Sequence, residues 1–286
     1  MAANAGRCPV SAQCDILGVP RSTYYAMRSR ANAPKAPDPI DPDALAVHEA
    51  SRGRYGSRKM KAALARSGKT VSRRRICRIM RESGLSSAYG RKKFKVHPGK
   101  PNEADAPDIV ARGFRGRAPR THVRGDLTYV RVGGGWNYVC LLIDLRNREI
   151  VGHSAGPRKD ADLAGSAFAT LDFPISDIEV FHTIRGSQCV SLLLSKTMRE
   201  SGIRPSMGSI SSPWDNAAME SLMGIVKAEC VHAQTYATRK EAALDLLEYI
   251  EVIYNRARIH SALGYLSPAE FEEANWPKEE GRSKTA

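Results

Sequence analysis

Hydrophobic and polar residues alternate along the chain from about residue 122, which is the pattern of half-buried β-strands. The alternation predicts strands over Val123–Val132, Trp136–Ile143 and Glu149–Ser154, with Gly133–Gly135 as a hairpin turn between the first two. Further strands are predicted over Ile178–His182 and Ile203–Ser206, and helices over 160–170, 187–201, 215–229 and 239–256. The order βββαβαβα predicts an α/β fold with a mixed sheet covered by helices.

The first 90 residues instead carry apolar positions at helical spacing. Residues 11–30 predict two short helices with Ser11 and Ser22 as N-caps, and the Pro- and Ala-rich residues 31–40 predict a linker. Residues 41–86 predict three helices, of which the third begins after Ser72 and ends at Gly84. One face of that helix is basic and carries Arg74, Arg78 and Arg81. A short turn before an arginine-rich helix is typical of a helix-turn-helix that binds DNA, although a solvated helix face has the same pattern.

The charge distribution supports a polyanionic partner. The 286 residues carry a net charge of +14, but residues 1–120 hold 26 Lys and Arg against nine Asp and Glu, whereas the rest of the chain is slightly acidic. Such asymmetry favours nucleic acid over a role in solubility alone. Residues 87–121 are rich in Pro, Gly and basic side chains, including Lys92 and Lys93, and are predicted to be a basic linker along DNA phosphates or a tether.

Several other classes are excluded by the sequence. No apolar run approaches the roughly 18 residues of a membrane span, and the N-terminus lacks a signal-peptide core. The six cysteines are scattered without a C-x-x-C pair, which argues against a zinc site and a disulfide framework. We therefore expect a reduced, cytoplasmic protein.

Two carboxylates are the candidate catalytic residues. Asp126 lies within an otherwise apolar and β-branched strand, and Glu220 lies early in the 215–229 helix, where Lys227 follows two turns later. This spacing could hold a cation and a phosphate together, but structural roles are about as plausible on spacing alone. Other polar and aromatic residues are expected to be structural. His182 is expected to be a packed or hydrogen-bonded residue rather than a metal ligand, and Asp144 to be structural. Asp215 is expected to be a helix N-cap rather than a metal contact, and Trp136 and Trp214 to be packing residues rather than base-stacking platforms.

Ordered motifs resemble the retroviral-integrase superfamily and, more closely, the insertion-sequence transposases whose catalytic protein comes from the second of two overlapping frames. The segments that carry the resemblance are Asp126-Leu127-Thr128-Tyr129-Val130, His182 to Gln188, Asp215 to Ser221, Lys227 with Glu229, Tyr254-Asn255-Arg256 with Arg258 and His260, and Leu263 to Pro268. In the front half, Cys14 to Ser22 and Tyr55-Gly56-Ser57-Arg58 also fit. The resemblance spans about residues 8–274.

The resemblance implies a ribonuclease H-like core that cuts and joins DNA strands with a D-D-E carboxylate triad and two Mg²⁺ ions. By this likeness Asp126 would bridge both metals, Glu220 would hold one, and Lys227 would contact a DNA phosphate. It further implies DNA ends and target DNA as partners, self-association, a possible upstream-frame partner protein, and a location with the bacterial nucleoid.

One position departs from the triad. The family's second Asp aligns with Ile184, which lies 36 residues before Glu220 at the family's usual separation. Isoleucine cannot coordinate Mg²⁺, so catalysis is expected to be impaired while fold and DNA affinity are kept. The alternatives are a non-catalytic DNA-binding repressor or dominant-negative partner, and a decayed mobile-element remnant.

The expected domain layout follows from these patterns. It comprises an N-terminal helical segment, a helix-turn-helix-like DNA-binding domain, a basic linker, an integrase core, and a C-terminal helix and arm, at residues 1–30, 41–86, 87–121, 122–235 and 236–286. In the last segment Arg256 and Arg258 are candidate DNA contacts, with a solvated arm as the alternative.

Overall fold

The structure is a computed structural model that describes residues 6–32, 38–90, 118–183, 198–207 and 217–276. The chain divides into two compact units, Met1–Asp43 and Ala44–Ala286. No helix among the described residues is both long and apolar enough to cross a membrane.

The first unit contains helices α1 (Val10–Leu17) and α2 (Arg21–Asn32). The two helices are predicted correctly, but the predicted caps are wrong. Pro9 is the N-cap of α1, and the Pro20 carbonyl accepts the first hydrogen bonds of α2, from the amides of Thr23 and Tyr24. Ser11 and Ser22 therefore lie inside the helices. Proline is favoured over serine at the start of each helix, because its fixed φ suits a helix start and its missing N–H is not needed there.

The second unit begins with helices α3 (Asp41–Ala50, from Ala44), α4 (Ser57–Arg66) and α5 (Arg73–Glu82). As predicted, the Ser72 side chain caps α5 by accepting from the Arg75 amide at 3.2 Å, and Gly84 ends it with a φ of 66°. A 3-10 turn follows at Ala88–Gly90, within the first residues of the predicted linker. The remaining linker residues up to 117, among them Lys92 and Lys93, lie outside the described residues.

A five-stranded sheet forms the centre of the second unit, with the order β3-β2-β1-β4-β5. The strands are β1 (His122–Val132), β2 (Gly135–Asp144), β3 (Ile150–Gly156), β4 (Val180–Thr183) and β5 (Arg204–Met207). The first three are antiparallel neighbours, whereas β4 and β5 run parallel to β1. This arrangement confirms the predicted mixed α/β sheet.

Helices cover both faces of the sheet. Helix α6 (Ala161–Phe168) packs on one face with Leu142, Val151 and Phe181, and the opposite face buries α7 (Ala217–Glu229) and α8 (Arg239–Glu248). Gly152 permits the close approach of α6, because a Cβ there would lie 2.5 Å from the Ala167 carbonyl oxygen.

The C-terminal segment differs from the single long helix predicted over 239–256. Helix α8 ends at Glu248 and continues as a π-helix over Tyr249–Tyr254, after which α9 spans Pro268–Asn275. The wider turn buries Tyr249, Ile250 and Tyr254 together. Most of the predicted 187–201 helix, and Ile184, Asp215 and Trp214, lie outside the described residues. The predicted domain boundaries stay predictions.

Candidate active site

Asp126 lies on β1, two residues beyond the last described pair of the β1–β4 ladder, Arg124 with His182. Among the described residues, Gly125 to Arg131 pair with β2, and Val132 also bridges Tyr236. The Asp126 carboxylate accepts a 2.7 Å hydrogen bond from the Leu127 amide. Burial raises the pKa of Asp126, and the positive charges of Arg124, Lys159 and Lys227 oppose that rise.

Lys227 connects α7 with this carboxylate. Its Nζ lies 4.8 Å from the centroid of the Tyr129 ring. Burial lowers the pKa of Lys227, and the charge of Asp126 opposes the lowering. The charges of the predicted phosphate-contacting lysine and the predicted metal-binding aspartate therefore act on each other.

Glu220 lies in the first turn of α7, seven residues before Lys227, and its side chain is exposed. The neighbouring Met219 is fully buried in the core and fixes the helix against the sheet. Within the residues that the structure describes, no group of three or more His, Cys, Asp or Glu side chains could hold a metal ion. Of the acidic residues predicted to bind Mg²⁺, Asp126 and Glu220 lie within the described residues. Two carboxylates by themselves do not complete a two-metal site.

The basic face of α5 is built as the sequence predicts. Ile76 and Ile79 are buried, while Arg74 and Arg81 are exposed and Arg78 is half-buried. An open groove of about 760 Å³ runs along this face and is lined by Ser72, Arg74, Arg75, Cys77, Arg78 and Arg81. Such a groove presents several guanidinium groups to one ligand, as a DNA-reading helix does.

A buried ion pair that the sequence reasoning missed joins this region to the core. Glu229, at the end of α7, forms a bidentate pair with Arg258, whose Nε lies 3.0 and 2.9 Å from the two carboxylate oxygens. Tyr249 donates to the same carboxylate at 2.9 Å, and Tyr89 also donates to it. Lys59 of α4 lies 3.7 Å away. We call these five residues the Glu229 network.

The opposite charges in the Glu229 network offset the cost of burying them. The side chains of Glu229 and Arg258 are 0% and 4% exposed. Burial alone would raise the pKa of Glu229, but Arg258 and the other partners outweigh it, so the pKa of Glu229 is lowered. Next to the pair, burial and the charge of Arg258 lower the pKa of His260 to about 2, so this ring stays neutral.

Further contacts tie α3–α5 to the C-terminal segment. Tyr55 donates to the Ala257 carbonyl at 3.2 Å and accepts from the Ile259 amide at 3.1 Å. Arg66 of α4 pairs with Glu270 of α9. Together with the Glu229 network, these contacts hold the helix-turn-helix-like region against the core.

The C-terminal motif residues have structural roles. Asn255 exchanges two 3.0 Å hydrogen bonds with the backbone of Ile150 at the start of β3. Ser267 and Glu270 form a capping box at the start of α9, with Pro268 as its first residue. Arg256 is exposed, as a DNA contact requires, whereas a DNA contact by Arg258 would require the Glu229 network to open.

Other sequence expectations have mixed outcomes. His182 is buried and bonded to the Ser206 hydroxyl at 2.9 Å, as expected of a structural histidine. Asp144 accepts from the amides of Arg120 and Arg146, also as expected. Trp136 packs edge to face on Tyr129, as a packing residue does, although its side chain is 43% exposed on the β1–β2 hairpin.

Comparisons with known proteins identify the family. A family model described as an HTH-like domain matches residues 41–93, and one described as an integrase core domain matches residues 220–275. The insertion element IS600 uncharacterized 31 kDa protein of Shigella sonnei is 33% identical over 91% of this chain and 97% of its own length. The transposase for insertion sequence element IS904 of Lactococcus lactis is 33% identical over 80% of this chain and 92% of its own. The chain belongs to the insertion-sequence transposase family.

Membership of this transposase family confirms the predicted function class, DNA transposition by an integrase-core protein. Transposase InsF for insertion sequence IS3A of Escherichia coli is 29% identical over 93% of this chain and 94% of its own. Among solved structures, the simian T-cell lymphotropic virus intasome matches 85% of the chain with a TM-score of 0.47 and 15% identity. The magnesium complex of the HTLV-2 integrase catalytic core matches 55% with a TM-score of 0.43 and 14% identity.

Proposed function

We propose that this transposase binds the DNA of its element but catalyses strand transfer poorly. The observation that carries the proposal is the isoleucine at position 184, where the family resemblance places the second acid of its triad. An aliphatic side chain offers no oxygen to Mg²⁺, which binds oxygen ligands almost exclusively in proteins. Asp126 and Glu220 would then be left to hold metal without a third carboxylate.

The strand register supports this alignment. The last described pair between β1 and β4 joins Arg124 with His182. Asp126 follows Arg124 by two residues in the sequence, and Ile184 follows His182 by the same two. In parallel strands, residues at equal distances from a shared pair lie opposite each other. Position 184 would therefore lie opposite Asp126, as the alignment with a metal-binding acid requires.

Binding to DNA is proposed to depend on the basic face of α5, with Lys227 and Arg256 as further contacts. The arginine-lined groove beside Arg74 and Arg81 offers the multiple positive charges that neutralise phosphates. Lys92 and Lys93 would extend this contact along the DNA backbone, and self-association or an upstream-frame partner protein would complete the DNA complex. None of these contacts needs the residue at position 184, so DNA affinity would survive its replacement.

The test compares the natural chain with Ile184→Asp, and uses Ile184→Asn as a matched control of similar size but without a charge. Each purified full-length chain is mixed with duplex DNA carrying the element's ends, a plasmid target and Mg²⁺, and joined products are counted. Restoring a metal ligand worth about 4 kcal/mol in the transition state corresponds to a rate increase of about a thousandfold. Binding to the same DNA is measured in parallel and is expected to be equal in all three chains.

Strand transfer by the natural chain at a rate equal to that of Ile184→Asp would refute the proposed impairment. If Ile184→Asp remains inactive although all three chains bind, positions other than 184 also impair catalysis, and the natural chain acts on DNA by binding alone. That outcome would favour a repressor or a dominant-negative partner of an active transposase, which inhibition of an intact relative in the same assay would show.

A further inference from the structure

Two aromatic side chains lie exposed side by side on the β1–β2 hairpin. Tyr129 and Trp136 are each 43% exposed, and their rings meet edge to face with centroids 5.0 Å apart. The strand register pairs Tyr129 with Tyr138 and Arg131 with Trp136, which places all four residues on one face of the hairpin. Large aromatic surface is costly to leave in water, so this exposure calls for an explanation beyond the packing of the sheet.

A positive charge accompanies each of the two rings. The Nζ of Lys227 lies 4.8 Å from the Tyr129 centroid, and the guanidinium carbon of Arg131 lies 5.7 Å from the Trp136 centroid. We call Tyr129, Trp136, Arg131 and Lys227 the aromatic strip. Rings next to cations match the two parts of a nucleotide, because bases stack on aromatic faces and phosphates pair with Lys and Arg.

The aromatic strip begins beside the candidate catalytic carboxylate. Lys227 contacts the Tyr129 ring and is also close enough to Asp126 for each charge to act on the other. Along β1, Tyr129 follows Asp126 by three residues, so the two side chains lie on opposite faces of the strand, and Lys227 links the two.

We propose that the aromatic strip is a stacking platform for unpaired nucleotides next to the cleavage point at Asp126. The platform fits unpaired DNA because the faces of bases in an intact duplex are already stacked on one another and are not accessible to side-chain rings. Tyr129 and Trp136 are thus positioning residues, which hold the strand end while Lys227 and Arg131 neutralise its phosphates. The proposal rests on the proposed function, in that it requires the chain to bind DNA ends.

The test measures stacking directly and does not depend on catalysis. The full-length chain is titrated with two versions of a duplex that carries the element's end, one blunt and one with a two-nucleotide unpaired tail containing 2-aminopurine. Stacking quenches 2-aminopurine fluorescence, and binding of each version is followed by anisotropy at a single salt concentration. One stacked base is worth about 1.4 kcal/mol, so the natural chain should bind the tailed duplex about tenfold more tightly than the blunt one.

The variants separate stacking from folding. Trp136→Leu should lose both the quenching and the tenfold preference, whereas Trp136→Phe should keep most of both because it retains a ring. Trp276→Leu is the matched control, because Trp276 also contacts an arginine, Arg146, but that arginine follows the opposite end of β2. The control should leave the preference unchanged.

Each outcome is decisive. Equal binding of tailed and blunt duplex by the natural chain, or a preference that Trp136→Leu retains, would overturn the stacking platform and leave DNA binding intact. Failure of the natural chain to bind either duplex would overturn the proposed function together with the platform. If Trp136→Leu does not fold, the natural chain and Trp136→Phe still decide through the quenching of the tail.

Discussion

Removing the charge of Glu229 should destabilise the second unit by about 3 kcal/mol. The substitution Glu229→Gln keeps the size and shape of the side chain but leaves the Arg258 guanidinium, 4% exposed, without its counter-ion. Breaking a buried ion pair from one side typically costs about 3–5 kcal/mol, because the remaining charge stays desolvated. The lower end applies here because the glutamine amide can still accept from Tyr249 or Tyr89, which now donate to Glu229.

Equilibrium urea unfolding of the full-length chain measures this cost. With a slope of about 3 kcal/mol per molar urea for a unit of this size, the midpoint should fall by about 1 M. Glu248→Gln is the control, because Glu248 pairs with Arg52 on the surface, where both side chains are more than half exposed. An exposed pair of this kind contributes less than about 1 kcal/mol. Equal midpoints for the two variants would refute the energetic importance assigned to the Glu229 network.

The double variant Glu229→Leu with Arg258→Met removes both charges at once. It should cost less than Glu229→Gln alone, because the more deeply buried charge of Arg258 is removed too and only Lys59, 17% exposed, is left without its counter-ion. A cost equal to or larger than that of the single variant would mean that the shape of the site, and not its charge balance, determines stability.

Three further predictions follow from other parts of the structure. Burial and Arg258 lower the pKa of His260 to about 2, so below about pH 6.5 the unfolded chain binds a proton that the folded chain does not bind. The free energy of unfolding should therefore fall by up to about 1.4 kcal/mol for each pH unit below this value. His260→Asn should show a shallower fall of the urea midpoint between pH 7 and pH 5. Gly152→Ala should lower the free energy of unfolding by at least about 1–3 kcal/mol, because its Cβ would clash with the Ala167 carbonyl oxygen. The control Gly165→Ala, in α6, adds a Cβ that meets nothing within 4 Å and should be neutral or stabilising. Similar thermal midpoints for the two variants would contradict this. Arg81→Ala should lower the slope of log K against log salt for DNA binding by about one, and an unchanged slope would exclude a phosphate contact by Arg81.

Local features of the fold could be predicted because neighbouring residues determine them. The Ser72 cap and the Gly84 stop of α5 each depend on a few consecutive residues, as does the alternation that formed β1 and β2. The caps of α1 and α2 were predicted wrongly for a local reason as well, since a proline and a serine competed for the same helix start.

The Glu229 network could not be predicted, because its partners are far apart in sequence. Tyr89 precedes Glu229 by 140 residues and Arg258 follows it by 29, and no periodic pattern links such positions. A signal was nevertheless present, since Arg258 and His260 flank the apolar Ile259 in a short segment that turned out to be buried. Charged residues in such a segment indicate a buried pair at least as readily as a DNA contact.

The exposure of Trp136 could not be predicted, for a different reason. Alternation assigns a strand residue to a face of the sheet but does not reveal where the covering helix stops. Helix α6 covers the part of that face around Leu142 and leaves the hairpin end open. Exposure therefore depended on the length of an element elsewhere in the chain.

The Glu229 network also has a consequence for the length of DNA that the protein could span. Because Tyr89 and Lys59 fasten the helix-turn-helix-like region to the same unit that carries Asp126, a DNA segment bound at both α5 and Asp126, as proposed, would be held by parts that keep a constant separation. The protein would then set the number of base pairs between the DNA bound by α5 and the bond presented at Asp126. A change of even a few base pairs in that interval would rotate the bond out of reach, however well each part binds alone.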